Sequence, residues 1–137
     1  RHISLRNALQ RLLALVRERG AAADPVVRQK LARLAIGERA LQLNGYRSLT
    51  RIVRGGQPGP EGSTSKLFWS QLDQELAQVA NEVLGPAAQL GPGAAWAPDE
   101  GQWEFYACLA QASGIRAGTT EILKNILGER VLGLPKD

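Results

Sequence analysis

The sequence contains no methionine, a single cysteine (Cys108) and a single histidine (His2) in 137 residues. A disulfide framework needs paired cysteines, and a structural zinc site needs about four Cys or His ligands, so both are excluded. With His2 at the N-terminus, a Ser–His or Cys–His nucleophile pair is not expected. No P-loop, GxGxxG, GxSxG or HExxH motif occurs. No apolar run approaches the roughly 18 residues of a membrane span, so no membrane insertion is expected. Aromatic residues make up only 5% of the chain. Period-two alternation is also missing, so no strand is expected. The chain opens at Arg1-His2-Ile3, inside a helical pattern, and reads as a piece of a longer protein. The lack of a leader therefore carries no weight.

What remains is the composition of one globular domain, with 44% hydrophobic and 22% charged residues. That length buries roughly two thirds of the unfolded surface. The net charge of +4 conceals an asymmetry. Residues 1–54 hold twelve Lys/Arg against Glu18, Asp24 and Glu38; residues 55–137 hold five basic and ten acidic groups. A basic half is one way to bind nucleic acid. Among these charges only Tyr46 offers a stacking surface, so nucleic acid is not an expected partner. Two oppositely charged faces that meet each other or solvent are the simpler reading.

Helical periodicity runs through the chain. Leu5, Leu9, Leu12, Leu13 and Val16 form one apolar face of a helix over 4–19, with Ser4 as cap and Gly20 as stop. Asp24-Pro25 restarts a helix over 25–54, with proline at a position where its missing N–H costs nothing. Val27, Leu31, Leu34, Leu41, Leu49 and Ile52 mark its stripe, and Gly37 and Gly45 permit close helix approach. After the loop 55–60, a third helix covers 61–84, lined by Phe68, Leu72, Leu76, Val79, Ala80 and Val83. Gly85-Pro86 ends it. Residues 85–100 form a Gly/Pro/Ala-rich loop. Shorter helices follow over 102–111 and 119–131, the last with Ile122, Leu123, Ile126, Leu127 and Val131 on its apolar face. Long helices with short links specify an all-α, antiparallel, four-helix-type bundle.

Few residues carry chemistry on their own. Cys108, in an apolar helical stretch, reads as a buried structural thiol. Trp96, Trp103, Phe105 and Tyr106 read as packing under the loop, with a ligand pocket as the alternative. Arg116-Ala117-Gly118-Thr119-Thr120-Glu121-Ile122 places a glycine and two hydroxyls at a helix N-terminus. Free amides and the positive dipole end suit an anionic oxygen there. Capping by Thr119, with Glu121 complementing the dipole, explains the same residues.

The stretch AGTTEILKNILGERVLGLP (Ala117–Pro135) resembles the C-terminal signature of acyl-CoA dehydrogenases, in the style of actinobacterial paralogues. GYRSL (Gly45–Leu49), GPEGSTSKLFWSQLDQEL (Gly59–Leu76) and NEVLGP (Asn81–Pro86) agree in order and spacing. The resemblance implies that residues 1–137 are the family's C-terminal α-helical domain, with the N-terminal helical and middle β-domains lying outside the chain. It implies FAD as cofactor, an acyl-CoA thioester as substrate, α,β-dehydrogenation in fatty acid metabolism, and a cytoplasmic home. It also implies a homo-oligomer (dimer or tetramer), or a heterotetramer with a paralogous subunit. The family chemistry removes an α-proton with a carboxylate while a hydride leaves for the flavin.

Residue by residue, the resemblance assigns Thr119 and Glu121 to flavin contact. It assigns Glu82, Val83, Leu84 and Gly85, followed by Pro86, to the adenine end of a neighbour's FAD. Arg17, or Arg19, is assigned to the FAD pyrophosphate. The position often held by the catalytic glutamate is Ala117, so no catalytic base is expected within the chain. Two readings follow. A subgroup resembling isovaleryl-CoA dehydrogenase carries its glutamate on the first C-terminal-domain helix, here upstream of Arg1. The alternative is a non-catalytic partner subunit or helical oligomerisation module. In both, the Ala117 amide remains a donor for the thioester oxygen, and the chain alone is expected to be inactive and without bound FAD.

Overall fold

The computed structural model describes residues 2–57 and 59–136. Five α-helices follow one another: α1 (His2–Glu18), α2 (Pro25–Val53), α3 (Glu61–Leu84), α4 (Gln102–Ala112) and α5 (Thr120–Arg130). No strand occurs among the described residues. The expected all-α bundle is therefore the fold found, and the helix limits match the sequence periodicity within two residues.

α3 is the central element and packs against each of the other four α-helices. Its buried face carries Leu72, Leu76, Val79 and Ala80. Leu5, Leu9, Leu12 and Val16 of α1 and Leu31, Leu34 and Leu41 of α2 close on it, with Trp103 of α4 at the margin. Each fully buried leucine contributes about 1.5–3 kcal/mol, so this seam, rather than helix propensity, holds the bundle. At Gly37 the two long helices come closest. A Cβ there would sit 2.5 Å from a Leu72 methyl, which only glycine avoids.

The charge asymmetry resolves into cross-links. Arg11–Asp99, Lys30–Glu82, Arg33–Glu75 and Arg51–Glu61 each pair the basic first half with the acidic second half. Arg6–Glu38 is a pair within the first half. These pairs also report the register, with α1 and α3 parallel to each other and antiparallel to α2.

Several details depart from the sequence reading. α1 begins at His2, so Ser4 lies inside its first turn and not ahead of it. Leu49 and Ile52 are 60% and 47% exposed, not core. The start of α1 lies opposite Gly45, within 4.0 Å of a Cβ there, so the last turns of α2 run past it. On α5 only Leu123 is buried, while Ile122 and Val131 face solvent.

Cys108 is exposed, contrary to the buried thiol expected. α4 is apolar on most sides, so composition does not reveal which face turns inward. Trp103 and Ala110 do, and Cys108 shares the opposite face with Glu104, to which its thiol donates. Of the four aromatic residues, Trp103 and Tyr106 pack edge to face at 6.0 Å. Trp96 and Phe105 are exposed. The loop after α3 holds two 3-10 turns, Gly85–Gln89 and Pro98–Gly101.

Candidate functional site: two ends of the central helix

The turn between α4 and α5 is built by an uncommon backbone. Ala117 and Gly118 both adopt positive φ, +56° and +96°. The second suits glycine, while the first stores strain in an alanine. The turn is pinned at both sides. The Thr120 amide donates to the Gly114 carbonyl at 3.0 Å. Thr119 takes the N-cap position, its hydroxyl accepting from the Ile122 amide at 3.3 Å, as the sequence implied. Glu121 folds its carboxylate back onto its own amide. That bond, then the Thr119 hydroxyl, holds the carboxyl below the usual glutamate range.

Beneath the turn lies Lys66 of α3, only 2% exposed. Its ammonium donates to the Gly118 carbonyl at 2.7 Å. One helical turn on, Trp69 lies under the Arg116 guanidinium, 5.7 Å from the ring centre. Further along, Asp73 accepts a 2.6 Å hydrogen bond from the Tyr106 hydroxyl. Burial raises the Asp73 carboxyl above its ordinary value of 3.8, opposed by the Tyr106 and Ser113 hydrogen bonds and the Arg116 charge. The Tyr106 phenol is raised by burial and then by Asp73. Ser113, fully buried, donates to the Ala110 carbonyl at 2.6 Å. This column of polar groups anchors α4, and with it the turn, to α3.

The sequence reading missed Lys66 and Asp73. The signal was present: Lys66, Trp69, Asp73, Leu76 and Ala80 share one helical face, so two charged groups sit in register with core residues.

The other candidates lie at the far end of α3. Glu82 is bound to Lys30, so its negative charge is balanced within the chain. The Val83 side chain packs against the core and Leu84 is buried in it, leaving their backbone alone for any ligand. Gly85 begins the following 3-10 turn. Lys30 lies near the start of α2, which follows α1 after the short link Ala21–Ala23, so the end of α1 shares this end of the bundle. Arg17, in the last turn of α1, is exposed there.

The candidate residues thus fall into two groups. Ala117, Thr119 and Glu121 stand with Lys66 at one end. Arg17 and Glu82–Gly85 stand at the other. Sixteen residues of α3 separate Lys66 from Glu82, about 24 Å at 1.5 Å per residue.

Both groups have donor sets suited to an electron-rich, phosphate-bearing ligand. Among the described residues, the Ala117, Gly118 and Thr119 amides have no hydrogen-bond acceptor in the chain. Consecutive free amides at a helix start suit an anionic oxygen. Arg17 offers a forked donor without an ion-pair partner among the described residues. No cluster of three or more potential metal ligands exists among the described residues, and no helix of them is long and apolar enough to cross a membrane.

Known proteins resemble this chain along nearly its whole length. Residues 1–132 match the family described as acyl-CoA dehydrogenase, C-terminal domain. Acyl-CoA dehydrogenase IpdE1 of Mycobacterium tuberculosis is 35% identical over 133 residues, covering 94% of this chain and 32% of the relative. Its namesake in Mycolicibacterium smegmatis is 35% identical over 127 residues, 92% of this chain and 30% of the relative. The chain therefore spans about a third of the relatives it matches. Among solved structures, the Tcur3481-Tcur3483 steroid ACAD superposes with a TM-score of 0.84 at 20% identity, over 97% of this chain and 35% of that one. The ChsE4-ChsE5 complex from Mycobacterium tuberculosis superposes with a TM-score of 0.74 at 24% identity, over 92% and 36%. These two show the shared fold. The family match, the 35% identity and the five-helix bundle agree: the chain belongs to the acyl-CoA dehydrogenase family, as its C-terminal domain.

Proposed function

We propose that this chain is the C-terminal domain of a cytoplasmic, FAD-dependent acyl-CoA dehydrogenase. In this reading the rest of the protein supplies an N-terminal helical and a middle β-domain, and the domain contributes half-sites to two different FAD molecules. The observation that carries the reading is the separation of the candidate residues to opposite ends of α3. A turn serving the flavin of its own subunit and an arginine-bearing end serving a neighbour's FAD require that arrangement. Assembly then joins the turn of one subunit to the Arg17 end of another.

FAD, when bound, would supply the acceptor for the hydride leaving the β-carbon of the thioester. The chain's own residues bind and orient. The Ala117 amide is the donor for the thioester oxygen, where negative charge grows as the α-proton leaves. Thr119 and Glu121 border the flavin. Arg17 provides charge for the pyrophosphate, and Lys30 removes the repulsion that Glu82 would otherwise direct at it. The methyl group of Ala117 takes no proton; in this reading the base is the glutamate that the isovaleryl-CoA dehydrogenase-like pattern carries on the first helix of this domain, upstream of Arg1. The solved neighbours described as a two-component complex and as a steroid ACAD extend the proposal to a mixed tetramer acting on a bulky acyl-CoA.

The full-length protein should purify with bound flavin that an acyl-CoA substrate reduces without oxygen. Replacing the upstream helix glutamate by glutamine should slow that reduction by about 10²–10⁴-fold while FAD stays bound. Unchanged reduction would rule out that base. A second reading rests on Ala117 itself, namely a non-catalytic subunit paired with an active paralogue. It is favoured if no upstream carboxylate exists and a second dehydrogenase-like chain co-purifies.

A further inference from the structure

Lys66 is a lysine held inside a helical bundle with its ammonium on a backbone carbonyl. Taking an ammonium out of water costs several kcal/mol, and leucine or methionine fills the same volume without that cost. Its position shows where the charge acts. The acceptor is the Gly118 carbonyl, at 2.7 Å. Gly118 is the residue at φ +96°, next to Ala117 at φ +56°. The peptide unit that ends in this carbonyl begins the next residue with the Thr119 N–H. That amide is one of the three without an acceptor among the described residues. An ammonium on a peptide oxygen draws electron density through the unit and strengthens its N–H as a donor. The same charge reaches beyond the turn and helps to lower the Glu121 carboxyl.

We propose that Lys66 is a positioning residue for the flavin site: it locks the Ala117–Thr119 turn and polarises the Gly118–Thr119 peptide, so that the Thr119 amide donates more strongly to the electron-rich flavin. This rests on the reading of the turn as a flavin half-site. Lys66 touches neither flavin nor substrate; it acts through the peptide. The role requires a charged donor held against that carbonyl; the burial follows from its place on the inward face of α3, and the donor geometry from the 2.7 Å hydrogen bond.

The test uses the full-length protein and three forms: unsubstituted, Lys66→Met and Lys66→Arg. Methionine keeps the volume and removes the donor; arginine keeps charge and donor. Hydrogen exchange of the segment 114–123 reads the turn directly. Lys66→Met should exchange there about tenfold faster or more, with α1 and α2 unchanged, because a hydrogen bond to a charged group is lost. The flavin midpoint potential, measured by dye equilibration, should become more negative in Lys66→Met and return in Lys66→Arg. Unchanged exchange overturns the locking role, whether or not flavin is present. Faster exchange with an unchanged potential overturns the polarising role. If the unsubstituted protein carries no flavin, the half-site reading fails instead, and the potential-based role of Lys66 falls with it.

Discussion

At Asp73 a carboxylate sits out of water with the phenol of Tyr106 against it. Burial raises its proton affinity, and the phenol works in the opposite direction. Because the folded-state pKa is above the ordinary 3.8, the folded chain binds this proton more tightly than the unfolded chain. The contribution of Asp73 to stability therefore falls as pH rises from near 3.8 through the raised value. Tyr106→Phe removes a donor from the ionised carboxylate and should cost about 1–3 kcal/mol at neutral pH. The cost should shrink as the medium is acidified and Asp73 takes up its proton. Chemical denaturation of both forms from about pH 4 to about pH 7, across and above the ordinary carboxylate range, measures it. A cost that does not change with pH would mean that the tyrosine contributes packing alone.

At the scale of the elements, the contact between α2 and α3 is set at Gly37. Glycine inside a helix ordinarily costs about 1 kcal/mol against alanine. Here alanine's methyl group would overlap both methyls of Leu72, itself buried. Overpacking of that kind costs about 1–3 kcal/mol, which exceeds the propensity gain. Gly37→Ala should therefore destabilise the native chain, yet stabilise a Leu72→Ala background by up to about 1 kcal/mol. The same sign in both backgrounds, read from denaturation midpoints, would show that Leu72 is not the obstacle.

This contact was legible in the sequence as a glycine in a long apolar stripe. So were the five helices, because caps and stops such as Asp24-Pro25 and Gly85-Pro86 act locally. The turn at Thr119 was legible for the same reason. What escaped were facts of facing. Leu49 and Ile52 continue the α2 stripe correctly, but their burial depends on where α1 lies, which periodicity does not state. Cys108 lies on a helix apolar on most sides, so no pattern separated inside from outside. Lys66 escaped because a lysine in an amphipathic helix is ordinarily solvated, and only the turn above it explains its burial.

At the scale of the molecule, the bundle has two chemically distinct ends joined by one helix. One end presents amides from a strained turn over a buried ammonium; the other carries Arg17 in the last turn of α1 and the balanced Lys30–Glu82 pair. The exposed apolar turns of α2, with Val53 84% accessible, give the domain surface suited to a neighbouring subunit. The central claim is that the two ends serve different FAD molecules, and flavin content per protomer tests it most directly. Two variants of the full-length protein, Arg17→Ala and Gly118→Val, each damage one end. In a self-assembling protein each should lose flavin alone, whereas co-expressed, differently tagged copies should form mixed oligomers that regain flavin in about half their sites, each built from two intact halves. With a paralogous subunit as partner, each single variant should keep about half its flavin and the double variant none. If the single variants lose all their flavin and the mixed oligomers stay equally empty, both ends serve one FAD and the account is wrong.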